Sequence, residues 1–225
     1  MTEFTTIKGD LQIQAGFSAP AFDLLKTNTP LAANIYKTLQ KYELRLSDMR
    51  TIRSGESFDS TWLDLTLFNY QSTLRVGLER IEANAYNIVQ TPMQQTLDAF
   101  RDLNKAIHET IPSYTFKTLS LAVALHGTSP DKKIKDLPLQ YIKNPPQMGF
   151  GPLATAGATF TFGATQDQLS ASVTIENSYT LPDALFLRFY VAWDPSRTPI
   201  DTLKTSVDSF IRNTAKGLDL EIHGI

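Results

Sequence analysis

Thr61-Trp-Leu-Asp-Leu-Thr-Leu-Phe68, Asn69-Tyr-Gln-Ser72, Thr73-Leu-Arg-Val-Gly-Leu-Glu-Arg80: this run, closed by Thr91-Pro92, decides the fold class. Leu63, Leu65 and Leu67 alternate with other residues, and so do Leu74, Val76 and Leu78. A period of two marks strands with one buried and one wetter face. Asp64, Thr66, Arg75, Gly77 and Glu79 take the other face. The short Asn69–Ser72 join suits an antiparallel hairpin. Ile81–Ile88 reads equally as a continuing strand with a bulge and as a loop. Thr91-Pro92-Met93-Gln94 then matches a capping box, with Gln94 placed to reach back to the Thr91 N–H. Met93, Leu97, Phe100, Ile107 and Ile111 form the stripe of the helix that follows, with Leu103 beside it. Pro112 ends that helix.

The same unit recurs at the end of the chain. Strands are expected over Gln168–Tyr179 and Ala184–Asp194, then a helix opened by Thr198-Pro199. Its apolar side is Ile200, Leu203, Val207, Phe210 and Ile211 with Thr214, and Gly217 is expected as a left-handed cap. Leu218–Ile222 alternates and reads as a short strand or a tail. Working outward, Phe4–Phe17 reads as one strand broken at Gly9, and Phe22, Leu24 and Leu25 as a helical turn. Thr29-Pro30 opens a helix whose stripe is Leu31, Ile35, Leu39, Tyr42 and Leu46. Ser47–Ser60 is a polar loop with room for a short strand. Tyr114–His126 is the most apolar strand and is expected at the centre of a sheet. Its second face carries Thr118, Ser120, Ala122 and Ala124, small enough for another layer to approach. The strand Ala184–Asp194 is apolar on nearly both faces and is expected to be internal.

The order predicts an α+β fold, a mainly antiparallel sheet with three or more amphipathic helices packed on one face. The echoed hairpin–helix unit suggests pseudo-duplicated halves, a strand–helix–hairpin–helix half over 1–112 and strands with a closing helix over 113–225, in one continuous unit. The order resembles helix-grip ligand-binding folds, from which the Thr91–Ile111 helix departs. Within the second half lies the proline-rich Gly127–Pro152 connection, locally basic through Lys132, Lys133, Lys135 and Lys143. Loops this long are often functional. Asn144–Leu187 then carries no Lys, Arg or His.

Function is far less legible. The 225 residues carry a net charge of -2, which lacks the basic field of most nucleic-acid binders, and no nucleic-acid partner is expected. Cysteine is absent, which removes disulfides, thiolate nucleophiles and zinc ribbons. The first residues lack a signal-peptide pattern, no apolar run is long enough for a membrane span, and a cytoplasmic location is expected. His108, His126 and His223 do not share metal-ligand spacing, so no metal and no cofactor is expected. Ser129 and Lys132 fit Ser-x-x-Lys without its companion motifs. Gly149-Phe-Gly151-Pro-Leu-Ala154 fits a loose dinucleotide fingerprint, but Pro152 and the β-prone sequence after it are the wrong setting. Asp64 and Glu79 could face each other or Arg75 as a cross-strand ion pair. Trp62, Tyr70, Tyr190 and Trp193 fall near strand ends or on second faces, where they suit a pocket, a core or an interface. No catalytic residue is assigned and the binding residues are left open. The surplus of β surface, unless covered, suggests a non-catalytic protein-binding or self-assembling protein, a homo-oligomer or one with a protein partner. The alternatives are a small-molecule carrier with an apolar pocket between sheet and helices, and a carboxylate-based enzyme.

Overall fold

The first strand is the spine of the molecule. The computed structural model describes residues 1–26, 28–53, 61–130, 132–141 and 156–225. Within them the order is β1 (Thr2–Phe17), α1 (Asp23–Lys26), α2 (Asn28–Leu39), β2 (Met49–Arg53), β3 (Thr61–Leu67), β4 (Ser72–Val76), β5 (Arg80–Ala85) and α3 (Met93–Thr110). Then come β6 (Phe116–Thr128), β7 (Gly157–Phe162), β8 (Gln168–Asn177), β9 (Leu185–Trp193), α4 (Leu203–Gly217) and β10 (Leu220–His223). The strands form one ten-stranded sheet in the order β2-β3-β4-β5-β1-β6-β9-β8-β7, with β10 added alongside β1. Every pairing is antiparallel except β1 with β10. The fold is therefore α+β with a mainly antiparallel sheet.

β1 and β6 meet at the centre, with Leu11 opposite Val123 and Ile13 opposite Leu121. Next to β1 lies β5, which leads into α3, and next to β6 lies β9, which leads into α4. Leu11, Ile13, Leu121, Val123, Phe189 and Val191 are all buried on one face, in a core shared with Leu97, Phe100 and Leu103 of α3 and Val207 and Phe210 of α4. Period two in the strands and period 3.6 in the helices thus converge on one apolar layer. Burying a single Leu or Phe there contributes roughly 1.5–3 kcal/mol.

The expected break at Gly9 is absent. β1 runs through it, because a Cβ at Gly9 would lie 2.9 Å from Leu125 Cδ2 and 3.1 Å from the Ala124 carbonyl. Glycine serves close approach there, not interruption. Gly127 is tighter still. A Cβ there would sit 2.5 Å from both the Phe4 ring and the Thr5 carbonyl oxygen.

Other local expectations yield to tertiary partners. α2 stops at Leu39, Glu43 turns left-handed at φ 62°, and Leu46 is 70% exposed, so Leu46 is off the stripe. Residues 81–85 are strand, and the turn is Gly77–Glu79, closed by Gly77 N–H donating to the Arg80 carbonyl. Leu78 is buried in that turn, beyond the end of β4. The Thr91–Gln94 capping box does not form. Gln94 Nε2 instead donates to Asp208 Oδ1 at 2.8 Å and ties α3 to α4. Asp219, at φ 57°, takes the left-handed position expected of Gly217. The long connection holds a 3-10 helix, Lys132–Tyr141, that buries Ile134 and Leu137.

α2 and the turn after it are fastened to α3 by polar contacts. Asn34 Nδ2 donates to the Ala106 carbonyl at 2.9 Å. Tyr42 Oη donates to Asp102 Oδ2 at 2.6 Å, and Lys41 Nζ lies 2.6 Å from the same oxygen. Burial works to raise the Asp102 carboxyl, but the bonds from Lys41 and Tyr42 outweigh it and hold the carboxyl below its usual range.

Gly127→Ala is expected to destabilise the fold by about 1–3 kcal/mol through overpacking, as read by urea denaturation. Gly163→Ala, with nothing within 4 Å of the added Cβ, should fall within about 0.5 kcal/mol of the parent. A second series tests the polar clasp. An acid with a lowered folded-state pKa adds stability above its unfolded value and loses it as pH falls through the folded value. The advantage of the parent over Asp102→Asn should therefore be complete above about pH 4 and shrink below it.

Candidate functional site: the open face of the sheet

Among the described residues the α-helices pack toward the apolar layer, and none covers the opposite face of the central strands. Register sets that face out in rows. Lys8, His126, Phe186 and Glu176 form one; Asp10, Ala124, Arg188 and Thr174 the next; Gln12, Ala122, Tyr190 and Ser172 a third. Phe186, Arg188 and Tyr190 therefore alternate with the buried Leu187 and Phe189 and stand on one side of β9. Successive members are about 6–7 Å apart along the strand, two residues at the strand rise. Arg188 is exposed and the two aromatics are half-buried. On β6 the cross-strand neighbours of Arg188 and Tyr190 are alanines, which leave the planar groups uncovered from that side. No ion-pair partner for Arg188 occurs among the described residues.

Charge on this face is sorted. Toward β3–β5, Arg75 Nε lies 3.0 Å from Asp64 Oδ1, and Arg80 bonds to the buried Glu82. Burial pushes the Asp64 carboxyl up, against the pull of Arg75. Toward the centre each of the first two rows holds one cation and one acid, Lys8 with Glu176 and Arg188 with Asp10, none of them directly opposite each other. Beyond Gln14, a shallow recess of about 280 Å³ is lined by Arg80, Lys117 and Ser120 among others. Burial and then Lys8 lower the pKa of His126 below the usual value, with Asp10 opposing. Its Nδ1 lies 2.9 Å from Ser178 Oγ and 3.1 Å from Thr180 Oγ1, and its ring is 4.9 Å from that of Phe186.

The remaining sequence candidates scatter. Of the two arrangements open to Asp64, the cross-strand ion pair with Arg75 is formed; Arg75 also stands opposite Glu82, and Glu79 sits exposed in the turn. His108 packs edge-on against Tyr114, and His223 Nε2 lies 3.8 Å from Glu221. Among the described residues no three His, Asp or Glu side chains gather as a metal site. Ser129 directly follows β6, and Gly149–Ala154 and Lys143 lie outside the described residues. Lys135 pairs with Asp183 at 3.2 Å. Of the four aromatics singled out, Tyr190 is on the open face, Trp193 is buried beneath the sheet, and Tyr70 is 70% exposed at the hairpin tip. The Trp62 side chain is outside the described set. Sequence alternation puts Phe186 and Arg188 on the second face of the strand with Tyr190 but gives them no role. The available signal was an arginine interrupting an otherwise apolar strand.

Beneath the sheet a cleft of about 790 Å³ opens between α4 and β7–β9. Trp193, Phe160 and Tyr141 line one side, and Phe210 with Ser, Thr and Asn side chains of α4 the other. An apolar pocket was the sequence expectation; the cleft mixes aromatic with hydroxyl and amide side chains.

No family model matches the chain, and neither does any curated protein. Among solved structures the chain is similar to a rolling circle replication initiator protein from Geobacillus stearothermophilus. The two are 12% identical with a TM-score of 0.37, over 91% of this chain and 80% of the other. A likeness that distant transfers neither mechanism nor residues. It carries no argument about function. The expected non-catalytic protein-binding or self-assembling protein without a nucleic-acid partner is withdrawn on the fold, where its premise fails. The second face of β9 holds Arg188 between half-buried aromatics, so the strand is not apolar on both sides. No helix among the described residues is long and apolar enough to cross a membrane.

Proposed function

We propose that the protein binds single-stranded nucleic acid on the open face of its sheet. The observation that carries this is the Phe186–Arg188–Tyr190 row, planar groups at regular spacing on a central strand beside Ala122 and Ala124. Unstacked bases present π-faces that pair with aromatic rings and with guanidinium planes. The alanines leave lateral room beside Arg188 and Tyr190, while Phe186 lies against the His126 ring. A duplex keeps its bases stacked internally and offers no such faces, so the row suits single strands.

The total charge of -2 averages over both faces and all edges. What a strand would meet is local, with Lys8, Arg188 and Lys117 toward its phosphates and Asp10 and Glu176 beside them. Stacking therefore supplies most of the affinity and electrostatics a minor part. We keep the cytoplasm as the proposed location, since the reading requires access to single-stranded nucleic acid.

Fluorescence anisotropy with labelled single-stranded DNA and RNA oligonucleotides tests this. Tyr190→Ala is expected to lose about 1–3 kcal/mol of binding free energy. Arg188→Ala should weaken binding as well, while Arg75→Ala, toward the outer strands, should matter less. With three available cations, the slope of log affinity against log salt should be no steeper than about -2. Equal affinity of the parent and Tyr190→Ala, or duplex preferred over single strand, would overturn the reading.

A further inference from the structure

We infer that the cleft beneath the sheet is a second site, separate from the open face, and that it takes an uncharged nucleoside. α4 sorts its residues into three stripes. Leu203, Val207, Phe210 and Ile211 are buried against the sheet. Lys204, Asp208, Arg212 and Lys216, each four residues after the last, line a different cleft of about 620 Å³ beside β10. Thr202, just before the helix, and Ser206, Ser209 and Asn213, spaced by three and four residues, line the 790 Å³ cleft. A solvent-facing helix surface ordinarily carries charge. Here one flank of α4 carries its charges and the other carries only hydroxyls and an amide.

The opposite wall of the cleft is aromatic. There Trp193 packs edge to face against Phe210 of α4 at 6.5 Å, and Tyr141 and Phe160, which are only partly buried, pack edge to face at 5.0 Å. Phe162 is 47% exposed at the mouth. Stacking surface on one side and neutral donors and acceptors on the other fit a ligand with a planar ring and a hydroxylated ring. A nucleoside has both. The volume lies within the roughly 300–1,000 Å³ of most ligand pockets. Phosphate is disfavoured. The one arginine among the described lining residues, Arg197, donates from Nη1 to the Gln166 carbonyl at 2.8 Å, and Asp167 also lines the cleft.

Isothermal titration with adenosine, guanosine, cytidine and uridine, their 5′-monophosphates and maltose tests the assignment. Saturable binding is expected for at least one nucleoside, no tighter for its monophosphate, and absent for maltose. Ser206→Leu combined with Ser209→Leu fills the cleft and should weaken that nucleoside by about tenfold or more. Asn213→Ala, at an exposed position, is the companion variant if the double variant fails to fold, and should weaken it too. Tyr190→Ala should leave nucleoside binding unchanged, so failure here and failure of the open-face reading are distinguishable. Absence of binding by every nucleoside, a monophosphate about tenfold tighter, maltose competing for the cleft, or affinity indifferent to the variants would each overturn it.

Discussion

The pairing of β1 with β6 is the constraint on which the rest of the structure depends. It joins the first strand of the chain to one that begins near its midpoint, and every other strand is placed outward from that seam. β5 fills the free edge of β1 over Leu11–Gly16, and β9 fills the free edge of β6 over Leu119–Gly127. A sheet slipped by one residue would exchange its faces. Leu11, Ile13, Leu121 and Val123 would then meet water while Asp10 and Gln12 entered the core. The apolar layer thus holds the register, and Gly127 against Phe4 and the Thr5 carbonyl holds the near end of the seam.

From that register both proposed sites follow. The side chains facing away from the core on β1, β6 and β9 are brought into rows whether or not they have anything to do with folding. In those rows Phe186, Arg188 and Tyr190 stand beside two alanines. The same strands on their other side supply Val173 and Trp193 to the cleft, where α4 supplies the opposite wall. α3 and α4 are held to each other by Gln94 and Asp208, which leaves the hydroxyl flank of α4 turned to the cleft. One sheet therefore offers two chemically different surfaces, separated by the core.

The polar clasp of Tyr42, Lys41 and Asp102 illustrates how little of this was readable locally. Tyr42 looked like the next member of the α2 stripe. It follows the helix, in a 3-10 turn, and its hydroxyl reaches a carboxylate sixty residues away in the chain. Gln94 likewise had a good local partner in sequence and took a distant one in the fold. Local capping is worth about 1 kcal/mol, which a charged partner packed between helices can match.

The alternation of Leu63–Leu67, Leu74–Val76 and Leu119–Leu125, together with the stripes of α3 and α4, was enough to give strands, helices and an antiparallel α+β class. Those patterns record which side of an element meets water, a local property. Which strand lies beside which is decided by contacts between residues far apart in the chain, so the place of residues 81–85 as a strand between β4 and β1 emerged only in three dimensions. The sites belong to that second category. Nothing in the sequence places Ala122 beside Tyr190, or Ser206 across from Trp193. These neighbours are made by strand register and by the docking of α4, and local periodicity carries no information about either.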